Sequence, residues 1–201
     1  MEAQPNALSY LALGDSYTIG ESVKESERWP NQLALALNNK GVAVSPPKII
    51  ATTGWRTDNL MDAIIKADLR HDYDLVSLLI GVNNQYQRKP ADQYAIEFED
   101  LLKTAIQMAK GKPTNVFVVS IPDYGYTPFG LSRKESISKQ IDEFNAINKK
   151  ITEKYKVAYY NITDISRKGL DEPSLVATDK LHPSGKMYTL WTERIMERFI
   201  R

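Results

Sequence analysis

Leu75-Val76-Ser77-Leu78-Leu79-Ile80-Gly81 and Val116-Phe117-Val118-Val119-Ser120-Ile121 are nearly continuous apolar runs, and they decide the fold. A strand wetted on one face alternates apolar and polar side chains, whereas a strand covered on both faces has no polar side to show. Two such runs call for a parallel sheet with helices above and below it. Ser9–Gly14, Val44–Ala51 and Val157–Ile162 are further short apolar stretches, which makes five predicted strands.

The segments between them have a different period. Tyr94, Phe98, Leu101, Ala105 and Met108 recur at spacings of three and four, as do Ile137, Ile141, Phe144, Asn148 and Ile151, with Asn148 the one polar exception. Both patterns predict amphipathic helices packed on the sheet. Pro183 is placed to open a last helix with Tyr188, Trp191, Ile195 and Phe199 in its stripe. Gly41 and Gly111 stand where helices should end, and Tyr124 to Gly130 reads as an ordered loop. Short right-handed connections then give a three-layer α/β/α sandwich, its five-stranded parallel sheet in the flavodoxin-like order 2-1-3-4-5. With no repeat, low-complexity tract or linker, residues 1–201 are expected to form a single domain.

Composition excludes several function classes. The 26 Lys and Arg nearly cancel the 25 Asp and Glu, so no global field collects nucleic acid, and no nucleic-acid partner is expected. The chain has no cysteine, which removes disulfides, thiolate metal sites and a Cys nucleophile. Two histidines, His71 and His182, are a poor start for a zinc hydrolase; no metal and no organic cofactor is expected. No apolar run approaches the roughly 20 residues that span a bilayer. The sequence opens without a charged-then-apolar leader, so a soluble protein is expected, cytoplasmic or exported after loss of a leader. Its oligomeric state is not legible.

In the predicted strand order the ligand crevice lies beyond the carboxyl ends of the first and third strands. Gly14-Asp15-Ser16-Tyr17, Thr53-Gly54-Trp55 and Gly81-Val82-Asn83-Asn84 all fall there. A serine attacks an ester carbonyl only if a base takes its proton and donors receive the resulting oxyanion. Thr178-Asp179-Lys180-Leu181-His182-Pro183 supplies the first. A carboxylate three residues before the imidazole lets Asp179 turn back toward Nδ1 of His182, leaving Nε2 for Ser16. The backbone N–H groups of Ser16 and Gly54 and the side-chain amide of Asn83 are candidates for the second. His71, in the polar stretch Lys66 to Asp72, reads as structural, a cation near a helix C-terminus.

In order and spacing, Gly14-Asp15-Ser16, Gly54, Gly81-Val82-Asn83-Asn84 and Asp179-Lys180-Leu181-His182 resemble the conserved blocks of GDSL/SGNH hydrolases. The resemblance implies an esterase or acylhydrolase acting on a small-molecule ester through an acyl-enzyme. Ser16 is then the nucleophile, His182 the general base and acid, Asp179 its orienter, and Ser16, Gly54 and Asn83 the oxyanion hole. The third block departs from the family, where the position of Asn84 is usually aspartate, and this bears on loop electrostatics. The Gly-x-Ser-x-Gly elbow of α/β-hydrolases is absent.

Each signal has a plainer reading. Ser16 alone is a helix N-cap, Asp179 a turn former and Asn83 a turn residue; only together do they imply catalysis. Trp55, Arg56, Tyr86, Tyr124 and Phe129 follow the strand ends and either wall the pocket or simply pack. Acyl transfer through the same intermediate is one alternative function. A flavodoxin-like binding protein, with Ser16-Tyr17-Thr18-Ile19-Gly20 as phosphate loop, is another, but it leaves Asn83 and Asp179-Lys180-Leu181-His182 unused. The absence of a large insertion or apolar lid suggests short acyl chains.

Overall fold

The computed structural model describes residues 7–199, the side chains of Arg198 and Phe199 excepted. β1 (Tyr10–Gly14), β2 (Lys48–Ala51), β3 (Leu75–Leu79), β4 (Val116–Val119) and β5 (Ala158–Tyr160) form one parallel sheet in the order β2-β1-β3-β4-β5, as the sequence implied. Every residue of β1, β3 and β4 is buried. The polar Ser77 is satisfied inside the sheet, its hydroxyl 2.9 Å from that of Tyr10.

α1 (Ser16–Ile19), α2 (Trp29–Asn39), α3 (Thr57–Lys66), α4 (Val82–Tyr86), α5 (Ala91–Met108), α6 (Lys134–Lys154), α7 (Thr163–Ser166) and α8 (Gly185–Phe199) complete the chain. α2 packs on α8, while α5 packs on α3 and α6. Right-handed crossovers place these two groups on opposite faces of the sheet. Trp29 and Trp191, from α2 and α8, are fully buried. Among the described residues no helix is long and apolar enough to cross a membrane.

The stripe of α5 is buried throughout. In α6 the polar exception has a structural reason: Asn148 is buried, and its Oδ1 accepts a 2.6 Å hydrogen bond from Tyr94 Oη of α5. The same hydroxyl is 3.0 Å from the Ile80 carbonyl at the end of β3. It thereby ties two helices to the chain entering α4.

Three expectations need correction. The second strand begins at Lys48, and Val44 makes only an isolated bridge to Leu8, because Pro46 and Pro47 lack the N–H groups a ladder requires. The last helix starts at Gly185, since Pro183 is held in a bridge to Val176; Tyr188, Trp191 and Ile195 are buried as expected, and the Phe199 side chain lies outside the described residues. α3 stops at Lys66, so His71 stands exposed in the following loop and no helix C-terminus holds it.

Replacing Tyr94 by Phe conserves shape but leaves the buried Asn148 Oδ1 without its donor. Tyr94→Phe is expected to lower unfolding stability by about 1–3 kcal/mol, measurable by urea denaturation; an unchanged midpoint would show that this bond is not what holds α5 to α6.

Candidate active site

Gly14, the last residue of β1, pairs with both Ala51 and Leu79. Strands β2, β1 and β3 therefore end level, and the loops beyond them stand side by side. Ser16, Thr53, Gly54, Val82 and Asn83 line one cleft of about 190 Å³ together with Tyr17, Tyr86, Tyr124, Phe129, Leu181 and His182. All the sequence-designated residues meet there except Asp179, which holds His182 from behind.

Ser16 is not the cap of its helix. Asp15 caps α1, its Oδ1 accepting 3.0 Å from the Tyr17 N–H, so the Ser16 hydroxyl is not needed for that task. As the first residue of α1, Ser16 also has a backbone N–H without an intrahelical acceptor. The turn from β1 into α1 is tight: a Cβ on Gly14 would lie 2.1 Å from Thr18 Oγ1 and 2.6 Å from the Leu79 carbonyl oxygen. The Tyr17 ring stands edge-on to that of His182 at 5.8 Å and backs it on the core side.

Gly54 has a φ of +86°, a region costly for any residue with a Cβ. A Cβ there would meet nothing within 4 Å, so backbone conformation, more than crowding, calls for glycine. The Asn83 amide donates 2.9 Å to the Trp55 carbonyl. Asn84 is buried; its Oδ1 accepts 3.1 Å from the Thr57 N–H and its Nδ2 donates 2.6 Å to Thr57 Oγ1. Thr57 in turn donates to Glu97. An aspartate at position 84 has no proton to give Thr57 Oγ1, so Asn84 matches a hydroxyl already committed to Glu97.

The loop after α7 and a 3₁₀ turn at Pro173–Leu175 is closed by the Val176–Pro183 bridge and by Ala177 N–H to the His182 carbonyl at 2.8 Å. At its tip Asp179 turns back as expected. Oδ1 accepts the N–H groups of Leu181 and His182 at 2.9 and 3.0 Å, and Oδ2 lies 2.6 Å from His182 Nδ1. A residue the sequence did not point to completes the set: Ser22 Oγ donates 2.6 Å to Asp179 Oδ2. Partial burial opposes the Asp179 charge, but these hydrogen bonds outweigh it and hold the carboxyl down to about 2. Asp15 is the opposite case. It is wholly buried, Oδ2 has no partner among the described residues, and desolvation overrides its backbone donors to push it up to about 7.

Of the possible wall residues, Tyr86, Tyr124 and Phe129 line the cleft, their rings in mutual contact at 6.2 to 6.4 Å. Trp55 and Arg56 do not: Trp55 packs partly buried against the core, and Arg56 pairs with Asp58 and Gln87.

Residues 12–190 match the GDSL-like Lipase/Acylhydrolase family. No curated relative matches the chain. Among solved structures, a member of the lipolytic protein G-D-S-L family from Veillonella parvula is 16% identical, with 97% of this chain and 100% of that chain covered and a TM-score of 0.73. The lipase/acylhydrolase from Enterococcus faecalis is 18% identical over 95% of this chain and 94% of that one, with a TM-score of 0.72. The acetylxylan esterase Axe2 from Geobacillus stearothermophilus is 15% identical over 98% and 95%, also at 0.72. These likenesses establish the shared α/β fold.

The two aspartates make opposite contributions to stability. Asp15 binds its proton more tightly folded than at the ordinary 3.8, so its contribution is full below about pH 4 and is lost as pH rises through about 7. Asp179, with a folded value of about 2, contributes above about pH 4, and that contribution is lost as pH falls toward 2. Urea unfolding between pH 4 and 8 should accordingly show Asp15→Asn gaining on the wild type as pH rises; parallel curves would mean that Asp15 is ionised throughout.

Proposed function

We propose, for a chain that belongs to the GDSL-like lipase/acylhydrolase family and is a carboxylic ester hydrolase, that one domain comprising residues 1–201 cleaves small-molecule esters by way of an acyl-enzyme on Ser16. One observation carries this reading: Ser16, Gly54, Asn83 and His182 line a single cleft while Asp179 holds Nδ1 of that histidine at 2.6 Å.

Each residue has a chemical task. The Asp179 carboxylate keeps the proton of His182 on Nδ1, so that Nε2 is free to accept. Ser16 Oγ attacks the ester carbonyl as its proton passes to Nε2. Charge then develops on the carbonyl oxygen, where the Ser16 and Gly54 N–H groups and the Asn83 amide receive it. An amide carries two protons; the Trp55 carbonyl takes one from Asn83 and fixes the direction of the other. His182 returns its proton to the leaving alcohol, and water, activated by the same imidazole, releases the acid. An alcohol or amine acceptor in place of water would make the reaction an acyl transfer.

The cleft also limits the substrate. Val82, Tyr86, Tyr124, Phe129 and Leu181 contribute apolar groups to its lining, and Thr53 and Gly54 contribute backbone and a hydroxyl. Among the described residues lining it there is no Lys or Arg, so an anionic head group finds no such partner there. A volume of about 190 Å³ suits a compact, uncharged substituent such as a short acyl chain. Tyr86 and Phe129 are 49% and 44% exposed, and a ligand that covers them gains the free energy of apolar burial.

Turnover of p-nitrophenyl acetate should vanish in Ser16→Ala while the fold persists; activity surviving in a clean preparation excludes Ser16 as nucleophile. Asn83→Ala should cost a factor on the order of 10² to 10³ in kcat, and a wild-type rate would remove Asn83 from the oxyanion hole. Across acetate, propionate and butyrate, kcat/KM should climb up to about fourfold per added methylene until the cleft is full. Phe129→Ala should flatten that climb; an identical profile would place the acyl group elsewhere.

A further inference from the structure

The polar segment between α1 and α2 has no place in the mechanism above, yet it touches three parts of the site. α1 ends at Gly20, and the N–H groups of Gly20 and Glu21 both donate 3.0 Å to the carbonyl oxygen of Ser16. The turn is thus fastened to the backbone of the serine itself. Its next two side chains reach away from it in sequence but into the site in space. Glu21 accepts the hydroxyl proton of Thr53, the residue before Gly54. Ser22, 157 residues from its partner, donates 2.6 Å to Asp179 Oδ2.

Two features set Ser22 apart from an ordinary exposed hydroxyl. Its φ is +66°, a left-handed conformation that glycine or asparagine adopts more readily than serine. A strained residue in an otherwise unremarkable turn is reason to look for a task that offsets the strain. The second feature is the donor set of Asp179. Oδ1 holds two backbone N–H groups, and Oδ2 holds His182 Nδ1 and Ser22 Oγ. With four donors placed around it the carboxylate cannot swing about its Cβ–Cγ bond; without Ser22, Oδ2 is held only by the imidazole it has to orient.

We propose that the Gly20-Glu21-Ser22 turn is a positioning clamp for this reaction: anchored on the carbonyl of Ser16, it fixes the Asp179 carboxylate through Ser22 and the Gly54 loop through Glu21. The inference rests on the reading of Ser16, Asp179 and His182 as a triad. It makes the spacing of nucleophile, orienting acid and oxyanion loop a property of one short turn. Ser22 and Glu21 touch no substrate in this scheme and act through Asp179 and Thr53.

Ser22→Gly separates the hydroxyl from the backbone, because glycine accepts the left-handed conformation while giving up the hydrogen bond. Its melting temperature is expected to equal or exceed that of the wild type. Its kcat is expected to fall by a factor on the order of ten to a hundred, as slight misplacement of a reacting group does, with KM unchanged. In a carbon-detected NMR titration, read without substrate, Asp179 should titrate higher than in the wild type. Ser22→Asn, which tolerates the backbone and carries an amide donor, should recover much of the rate. Wild-type kcat and an unmoved Asp179 titration in Ser22→Gly would overturn the clamp. Ser16→Ala run alongside keeps the two readings apart: turnover surviving there overturns the triad, whereas turnover lost there but untouched by Ser22→Gly overturns the clamp alone.

Discussion

The parallel register of β1 between β2 and β3 governs everything at the carboxyl edge of the sheet. Gly14 stands opposite Ala51 on one side and Leu79 on the other. One step along a strand is about 3.3 Å, more than the usual length of a hydrogen bond. A slip of a single residue would therefore carry Ser16 out of reach of the loops bearing Gly54 and Asn83. The strands are apolar on both faces, so alternation of side chains does not protect the register as it does in a half-wetted sheet. The protection comes from the ends. Gly14 lies so close to Thr18 and Leu79 that no residue with a Cβ could take its place, and the cap on α1 needs Asp15 in the next position.

Asparagine side chains then turn level strand ends into fixed loops. Asn83 and Asn84 grip the Trp55 carbonyl and the N–H and hydroxyl of Thr57. On the far side, Asn145 of α6 accepts the Ile121 N–H at 2.8 Å and returns a 2.9 Å bond to the Ile121 carbonyl, steadying the chain that leads to Tyr124. A carboxamide carries a donor and an acceptor on one planar group, so a single side chain can satisfy both the N–H and the C=O of a loop that has no strand beside it. In the proposed reaction, donors held this way before a substrate arrives need no rearrangement as charge develops.

The strand order, the helical stripes and the residues gathered in the cleft were legible because each rests on a local rule: unbroken apolar runs, a period of three to four, and short polar blocks at predicted strand ends. The errors were local as well. Pro46 and Pro47 delay the start of β2 to Lys48, and tertiary structure holds Pro183, the expected opening of α8, in a bridge to Val176. Asn148 looked like a flaw in the stripe of α6 and is in fact its link to Tyr94, a partner 54 residues away. Ser22 left no trace of its bond to Asp179, since a serine in a polar turn is the plainest of residues and the bond closes between the two ends of the chain. Asn84 departs from the family pattern in the sequence, but its match to Thr57 and Glu97 depends on residues that only the fold brings together.

Asp15 and Asp179 show why a count of formal charges says little about a site. Asp179 is surrounded by donors and stays ionised far into acid, as its proposed role of orienting His182 requires. Asp15 is beside the serine in sequence, with one oxygen in a cap and the other without a partner, and burial raises it to about 7. In the reaction proposed above, negative charge grows on an oxygen held by the Ser16 N–H, one residue from that carboxyl. An ionised Asp15 would repel this charge across a medium of low dielectric. A protonated one would not. Desolvation, which costs stability as pH rises, thus lowers the share of Asp15 that carries a second negative charge beside the place where the transition state must build its own.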